Sequence, residues 1–314
     1  MTWIRSAFTS GAVLVLLVFT ALLTNQSVAG QMVINSDMQF DYAMKLYQDQ
    51  DYDTAQTEFK RFVHFFPDDP RVGEAMFKTG MALFHQNRFF DAARQFNRII
   101  EDRKIQDPFT RESYFMQSRA FVKLGNLGYG QLVLQNFLKL TEDIALQDRI
   151  YLELAQIHIQ ASRSPGIDEL DQAQTSLEKI SPASARNFKV DEQTAMIRKV
   201  RAAPEKNPTL AGLFALIPGG GFLYCERFKD AAVAFALNAG LLLGAYTAFD
   251  NGNPALGGVV SFMEAGFYSA GIYGSISAAH KHNHAVKVQI LGREFNAGST
   301  ITAGTASFSL SLPF

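Results

Sequence analysis

Residues 51–70 read DYDTAQTEFKRFVHFFPDDP, and this stretch decides how the chain before residue 204 is interpreted. Its apolar residues return every three or four positions, which is the spacing of one face of an α-helix. Residues 88–100, RFFDAARQFNRII, repeat the pattern. In both stretches an alanine opens the helix and a phenylalanine follows four positions later, at Ala55 and Phe59, then at Ala92 and Phe96.

Another amphipathic helix precedes each of these, and it carries Ala43 or Gly80 where the two helices would cross closely. Paired helices with a period of about 34 residues resemble the tetratricopeptide repeat. Two weaker units follow, one with Gly130 in the alanine position and one with Arg163–Leu170 as an inserted loop. The resemblance implies an all-α solenoid of helical hairpins over residues 36–203. Its details are similar to periplasmic members of the family, which include the lipoprotein that helps to assemble outer-membrane barrels.

A stack of helical hairpins presents a concave face, and such faces bind proteins or peptides. Aromatic side chains dominate interface energetics, so six phenylalanines are candidate anchors for a partner: Phe65, Phe66, Phe89, Phe90, Phe109 and Phe115. An aromatic residue at helical spacing more often packs in a core, so each of the six has a structural alternative. The resemblance specifies no partner.

Two later stretches are long and apolar enough to cross a bilayer. Ala231–Phe249 carries no charge, and Ala255–Ala279 carries only Glu264. A bilayer core needs about 20 apolar helical residues, so these stretches predict a two- or three-helix membrane domain over residues 209–284. A linker with two prolines, residues 204–208, precedes it. Small residues at a spacing of four favour close helix packing, and they indicate an oligomer through these faces.

The lead-in to these helices is a broken apolar segment with one proline and three consecutive glycines. It is similar to a signature of bacterial membrane proteins of uncharacterised role, with Leu-Ala-Gly before Pro-Gly-x-Gly-x-x-Tyr, Arg and Asp. An ionisable group inside a membrane is costly, so Glu264 is a functional candidate that we expect to hydrogen-bond Asn238 or a tyrosine. A purely structural polar contact is the alternative. The candidate residues of the membrane domain are Pro218, Gly219, Gly221, Tyr224, Arg227, Asp230, Asn238 and Glu264.

An export signal is predicted at the N-terminus. A positive n-region, an apolar h-region and a small-x-small site before Gly30 indicate a signal peptide over residues 1–29, with an uncleaved anchor as the alternative. The predicted location is the bacterial inner membrane with the repeats in the periplasm, ahead of an association with the outer membrane.

The distribution of basic residues predicts how many times the chain crosses the membrane. Lys and Arg flank the two apolar helices and are absent from the loop Asp250–Pro254, which favours an outside loop and inside flanks. Exported repeats agree with that bias only if Leu210–Tyr224 also crosses. We therefore favour three crossings over two.

The C-terminal tail, residues 285–314, alternates polar and apolar residues, which is typical of strands. Val286–Leu291 and Ser299–Phe314 predict a β-hairpin. The histidines from His280 to His284 have no acidic or cysteine companions, so a solvated helix end is favoured over a metal site. The single cysteine, Cys225, is expected to pack as a small apolar residue.

The composition narrows the function classes. A net charge of −1 supplies no basic field for nucleic acid. The sequence has no phosphate-binding loop, nucleophile elbow or paired metal motif, so we expect neither a cofactor nor an enzyme activity. The favoured interpretation is a membrane-anchored envelope scaffold whose repeats bind protein or peptide partners. The alternative is a membrane subunit of a transport or secretion assembly in which the transmembrane helices and Glu264 act directly.

Overall fold

The computed structural model of the chain describes residues 34–102 and 107–303. Over these ranges the chain is helical without any strand, so the prediction of an all-α fold with tetratricopeptide-like hairpins is confirmed. The helices are α1 (Ser36–Gln48), α2 (Tyr52–Phe65), α3 (Val72–His85), α4 (Phe89–Asp102), α5 (Pro108–Lys123), α6 (Leu127–Leu140), α7 (Ile144–Ala161), α8 (Leu170–Glu178), α9 (Pro182–Ala185), α10 (Val190–Ala202), α11 (Pro208–Phe214), α12 (Gly220–Tyr224), α13 (Phe228–Asp250) and α14 (Pro254–Ala303). The predicted signal peptide and residues 304–314 lie outside the described residues.

The described residues fall into two compact units that divide between Gln86 and Asn87. In the first unit, α1 begins where the Asn35 side chain accepts a hydrogen bond from the backbone N–H of Met38 at 2.8 Å. This contact satisfies a donor that the helix end would otherwise leave unpaired. Helices α1 to α3 enclose a core of Phe40, Ala43, Ala55, Phe59, Phe62 and Ala75. The alanines and the phenylalanine of the repeated pattern therefore lie inside, as predicted.

In the second unit, α5 and α6 cross closely at Gly130. A Cβ atom on Gly130 would lie 2.9 Å from Cγ2 of Val122 and 3.2 Å from the carbonyl oxygen of Ser118. The predicted glycine in the alanine position is thus confirmed as a close crossing. Helix α7 ends at Ala161 and α8 begins at Leu170, so the inserted loop is also confirmed and is shifted by one residue from the prediction.

A buried acid connects α7 to the short helix α9. The carboxylate of Asp148 accepts hydrogen bonds from the backbone N–H and the hydroxyl of Ser181, at 2.8 and 2.5 Å. Burial raises the pKa of Asp148, but hydrogen bonds from Ser181 and Ser184 outweigh it and hold the pKa below its ordinary value. The charged form of Asp148 therefore stabilises the start of α9.

The last helix, α14, continues from the apolar stretch into the core of the repeats. Leu291 is fully buried in a cluster with residues of α7, α8 and α10, namely Ala155, Ile159, Leu170, Ala173, Leu177, Met196, Ile197 and Val200. The Lys287 ammonium donates to the carbonyl oxygen of Ile167 at 3.1 Å and to Asp168 at 3.2 Å. These contacts fix the helix against the inserted loop.

The predicted β-hairpin in the tail is therefore wrong over residues 286–303, which are helical. Apolar residues such as Ile290 and Leu291 point to one core that lies beside the helix, and burial there outweighs the strand-like alternation. The histidines from His280 to His284 lie within α14 and not at a helix end. The rest of the predicted second strand, residues 304–314, lies outside the described residues.

Candidate functional site

The glycine-rich turn between α11 and α12 allows backbones to approach within contact distance. Gly219 has φ of +81°, a conformation that glycine adopts without steric cost. A Cβ atom on it would lie 2.4 Å from the carbonyl oxygen of Ala231. A Cβ on Gly221 would lie 2.3 Å from the carbonyl oxygen of Ala211 and 2.5 Å from Cβ of Ser275. The turn is thus packed directly against α13 and α14.

Segment 208–224 returns to the place where it started. The Tyr224 hydroxyl accepts a hydrogen bond from the backbone N–H of Asn207 at 3.0 Å, although 17 residues separate them. Pro218 lies in the turn between α11 and α12. A segment that crossed a bilayer would hold its ends about 30 Å apart. The favoured prediction of a third crossing by Leu210–Tyr224 is therefore wrong, because the segment is a short hairpin.

Polar contacts hold the base of this hairpin. The Lys206 ammonium lies 2.7 Å from the Glu226 carboxylate and 5.3 Å from the centre of the Tyr224 ring. Their hydrogen bond raises the pKa of Lys206 and lowers the pKa of Glu226. Arg227 pairs with Asp230 at 2.6 Å, so two further motif residues contact each other. The motif residue Tyr224 thus lies at the base of the hairpin, and Arg227 and Asp230 follow the hairpin directly and pair with each other.

The buried cysteine lies where the hairpin packs against α14. Cys225 is 3% exposed and packs with Ala211, Ala278 and Ala279, as the sequence predicts for a small apolar residue. Its thiol lies 3.8 Å from the carbonyl oxygen of Ser275. The position serves the packing of α12 on α14.

Helices α13 and α14 form an antiparallel pair with a buried acid between them. Glu264 is 7% exposed, and its Oε2 atom has no hydrogen-bond partner within the described residues. Asn238 is also buried, but its side-chain amide donates to the carbonyl oxygen of Ala234 at 2.6 Å. The Tyr268 hydroxyl donates to the carbonyl oxygen of Leu216. The expected hydrogen bond from Asn238 or a tyrosine to Glu264 is therefore absent from this part of the structure.

Glu264 lines an open cavity of about 290 Å³ together with Leu242, Ala245, Ser261, Ala265 and Tyr268. The residues around the carboxyl are mainly apolar. An unpaired carboxyl in such surroundings is expensive in its charged form. The cavity therefore leaves room for an occupant that donates a hydrogen bond to the carboxyl.

The two apolar helices are long enough, by length and composition, to cross a membrane. They run over Phe228–Asp250 and Pro254–Gly292, and only 17% and 11% of their most apolar windows is buried. A core helix of a soluble protein would bury most of that surface. Phe262, at 83% exposure, is the clearest case.

The six candidate phenylalanines of the repeats do not share one environment. Phe65 and Phe90 are 66% and 59% exposed. Phe66, Phe89 and Phe109 are partly buried, and Phe66 packs against the core of the first unit. Phe115 is fully buried, and its ring lies 5.5 Å from the ring of Phe137. The prediction that Phe115 anchors a partner is therefore wrong, because its side chain has no surface to offer.

A groove between α4 and α5 is a candidate binding surface on the repeats. It measures about 370 Å³ and is lined by Phe90, Ala93, Arg94, Asn97, Arg98, Glu101, Gln117 and Phe121. The Gln117 amide donates to Asn97 at 3.1 Å, and the Asn97 amide donates to Glu101 at 2.8 Å. Arg94 and Arg98 form no ion pair within the described residues. The groove therefore combines an exposed aromatic ring with two available cations.

Comparison with known proteins supports a tetratricopeptide repeat over part of the chain. A sequence model described as "Tetratricopeptide repeat" matches residues 74–103, which span most of α3 and α4. Among solved structures, the chain is similar to a TPR repeats protein from Bacteroides fragilis NCTC 9343. The two share 12% identity with a TM-score of 0.33, over 83% of this chain and all of the other. No curated protein matches the chain.

Sequence reasoning missed residues that the structure brings together. Arg94 and Arg98 recur at helical spacing from Phe90, so the periodicity of α4 could have placed them on one face. Asn283 could not be found this way. Its side chain bonds both backbone groups of Lys206, at 2.8 and 3.0 Å across 77 residues, and no local pattern marks that contact.

Proposed function

We propose that this protein is a membrane-anchored envelope scaffold whose helical repeats bind a protein or peptide partner. The exposed apolar surface of α13 and α14 carries the proposal. Val233, Leu243, Tyr246 and Phe262 are each 64–83% exposed. Soluble monomers rarely expose apolar patches larger than a few hundred Å², so lipid is the surrounding that fits these helices.

The binding role rests on the repeats and on the groove between α4 and α5. Tetratricopeptide repeats generally mediate protein–protein interaction, and stacked hairpins offer elongated binding surfaces. Phe90 supplies an exposed aromatic side chain, while Arg94 and Arg98 supply charge. Aromatic and arginine side chains are the types most often found at binding hot spots. This arrangement supports the binding role of the proposed scaffold.

We place the repeats in the periplasm and the anchor in the bacterial inner membrane. Since Leu210–Tyr224 returns to its starting side, the repeats of the second unit and the basic flanks share one side of the membrane. The predicted signal peptide favours a periplasmic location for that side, whereas the basic residues that flank the apolar helices favour a cytoplasmic location. Long domains translocate largely regardless of charge, so the signal peptide takes precedence. The loop Asp250–Pro254 then lies in the cytoplasm.

Two measurements test the anchor and its orientation. The full chain should stay with the membranes during a carbonate wash and should leave them only with detergent; release by carbonate alone contradicts the anchor. Alkaline phosphatase inserted after Gly252 should be inactive, and the same enzyme fused after Phe314 should be active. The reverse pattern moves the repeats to the cytoplasm and leaves the anchor intact.

Partner binding is tested at the groove. A photo-crosslinking amino acid in place of Phe90 should give a discrete adduct in cells, which Arg94→Glu with Arg98→Glu abolishes. The same crosslinker in place of Leu140, which is similarly exposed at 57%, is the matched control. Equal adducts from both positions would contradict a partner in the groove.

An oligomer through the small-residue faces is also proposed. Gly240 and Gly266 lie on the apolar helices, and an added Cβ on either would meet no atom within 4 Å among the described residues. Both faces therefore have room for a second helix at close range. Gly240→Leu should reduce the crosslinked dimer in membranes, whereas unchanged dimer would exclude this face.

One observation favours the second candidate function, a membrane subunit of a transport or secretion assembly. Glu264 is buried, and its Oε2 atom is unpartnered beside an open cavity. An intramembrane acid is a functional candidate by default. Glu264→Gln keeps the shape of the side chain, so loss of cellular function with unchanged folding, localisation and groove adduct supports the transport role. Full activity of that variant supports the scaffold.

A further inference from the structure

We infer that α11 and α12 form a wedge within one leaflet, the leaflet beside the repeats, and that a basic collar at its base binds anionic phospholipid headgroups. The wedge is residues 208–224, and the collar is Lys229 and Lys281, which lie three residues after Glu226 and two residues before Asn283, the residues that contact Lys206 at the base. The inference rests on the proposed membrane anchor and adds to it a depth, a side and a class of lipid.

The depth of the wedge can be measured along α14, because both ends of the wedge contact residues of that helix. The base lies beside Asn283, whose side chain bonds the backbone of Lys206. The tip lies beside Tyr268, whose hydroxyl donates to the carbonyl oxygen of Leu216 at 2.9 Å. The 15 residues from 268 to 283 correspond to about 22 Å at a rise of 1.5 Å per residue. A further ~21 Å of the same helix leads to Pro254 at the far end.

The wedge therefore ends about half-way along the apolar pair. A hydrocarbon core is about 30 Å thick, so a tip at half the height lies near the bilayer midplane. The half near the repeats contains four helical segments, and the far half contains only α13 and α14. Leu213, Leu216 and Ile217 are exposed around the tip, so the wedge turns apolar side chains outward at that depth.

The position of the repeats shows in which leaflet the wedge lies. Beyond Asn283, α14 continues to Leu291, which is buried in the core of the repeats. The base of the wedge and the end of the repeat domain are therefore on the same end of α14. The wedge occupies the leaflet that faces the repeats.

The charges at the base identify the lipid class. Glu226 and Asp230 are already neutralised by ion pairs. Lys229 and Lys281 are exposed and make no ion pair within the described residues. Phe228, next to Lys229, is exposed as well, and an aromatic ring beside cations is typical of the membrane interface. Glu205 is exposed and has no ion pair among the described residues either, so the two lysines leave a net positive charge on this side of the membrane domain, and anionic phospholipids complement it.

Depth-dependent quenching tests the wedge in the full chain. The only tryptophan, Trp3, is replaced by Phe, and a single tryptophan is introduced as Ile217→Trp at the 69% exposed tip. The protein is reconstituted in phosphatidylcholine vesicles with bromine at a shallow or a terminal acyl position. We expect the strongest quenching from terminal bromines. Leu213→Trp, also exposed, repeats the measurement if the first variant folds poorly.

The outcomes separate the wedge from the anchor on which it depends. Phe262→Trp reports whether α14 enters the bilayer at all, because that side chain is 83% exposed. If Phe262→Trp escapes quenching, the anchor itself fails. If Phe262→Trp is quenched while Ile217→Trp is not, or if Ile217→Trp is quenched best by shallow bromines, the anchor stands and the wedge is overturned.

A second arm tests the collar. Leu210→Trp lies near the base and is partly exposed; it should be quenched more by brominated phosphatidylglycerol than by brominated phosphatidylcholine in mixed vesicles at low salt. Each basic residue near an anionic surface contributes about a fivefold preference. Lys229→Gln with Lys281→Gln should remove most of the preference, whereas Lys123→Gln, on α5 of the repeats, should not. Equal quenching by both lipids in the unmodified collar would overturn its role.

Discussion

Replacing Gly221 by alanine tests the close packing of α12 against α11 and α14. The new Cβ would lie 2.3 Å from the carbonyl oxygen of Ala211 and 2.5 Å from Cβ of Ser275. Both are backbone or first side-chain atoms that cannot rotate away, so α12 must move off its neighbours. Overpacking of this kind costs about 1–3 kcal/mol, against a gain of up to about 1 kcal/mol in helix propensity. We expect Gly221→Ala to lower the free energy of unfolding by up to about 2 kcal/mol.

The assay is reversible unfolding of the purified full chain in mixed detergent micelles, followed by circular dichroism. Gly258→Ala is the matched control, because that exposed helical glycine of α14 lies outside the proposed oligomer faces and has no neighbouring atom within 4 Å of the new Cβ among the described residues. It should be neutral or stabilising by about 0.5–1 kcal/mol. If the two variants had equal stability, the close approach of α12 to α11 and α14 would be refuted.

Three further changes probe the second unit. Phe137→Ala should cost about 3–5 kcal/mol by thermal unfolding, because the ring is fully buried against Tyr114; a loss under 1 kcal/mol would contradict that core. The folded-state pKa of Asp148 lies below its ordinary value, so its stabilisation is complete above about pH 4 and disappears as the pH falls through the folded-state pKa. Asp148→Asn should therefore lose about 1–3 kcal/mol at pH 7, and its stability should fall less steeply below pH 4; parallel pH profiles would be evidence against this. Leu291→Ala should cost about 2–5 kcal/mol and increase proteolysis near residue 291, while unchanged proteolysis would show that α14 does not dock on the repeats.

Much of the repeat architecture could be read from residue spacing. Small residues at Ala55, Ala92 and Gly130 mark helix crossings, and the constraint that makes them small acts within about 35 residues of sequence. The two apolar helices could be predicted equally well, because the length and composition of an apolar stretch are properties of the stretch itself. The predictions that held therefore depend on periodicity and on local steric limits.

The predictions that failed depend on contacts distant in sequence. Residues 286–291 alternate as a strand would, but α14 has already started at Pro254, and the core of α8 and α10 lies beside it. Tertiary burial decides between the two conformations there. Likewise, the prediction of three membrane crossings followed from the positions of the basic residues. The contact between Asn207 and Tyr224 contradicts the third crossing, and it depends on a turn at Gly219 that composition alone does not reveal.

The same contacts refine the scaffold that we propose. Residues 204–208 have the composition of a linker between domains, yet the side chain of Asn283 holds both backbone groups of Lys206. A second connection runs through α14, which is one uninterrupted helix from Pro254 past Leu291. A flexible tether would let the repeats move through a volume set by the length of the linker. Two connections instead fix the direction in which the repeats of the second unit leave the apolar pair. With the membrane anchor that we propose, a partner bound between α4 and α5 would meet the membrane at a set angle, so that anchor would determine orientation as well as location.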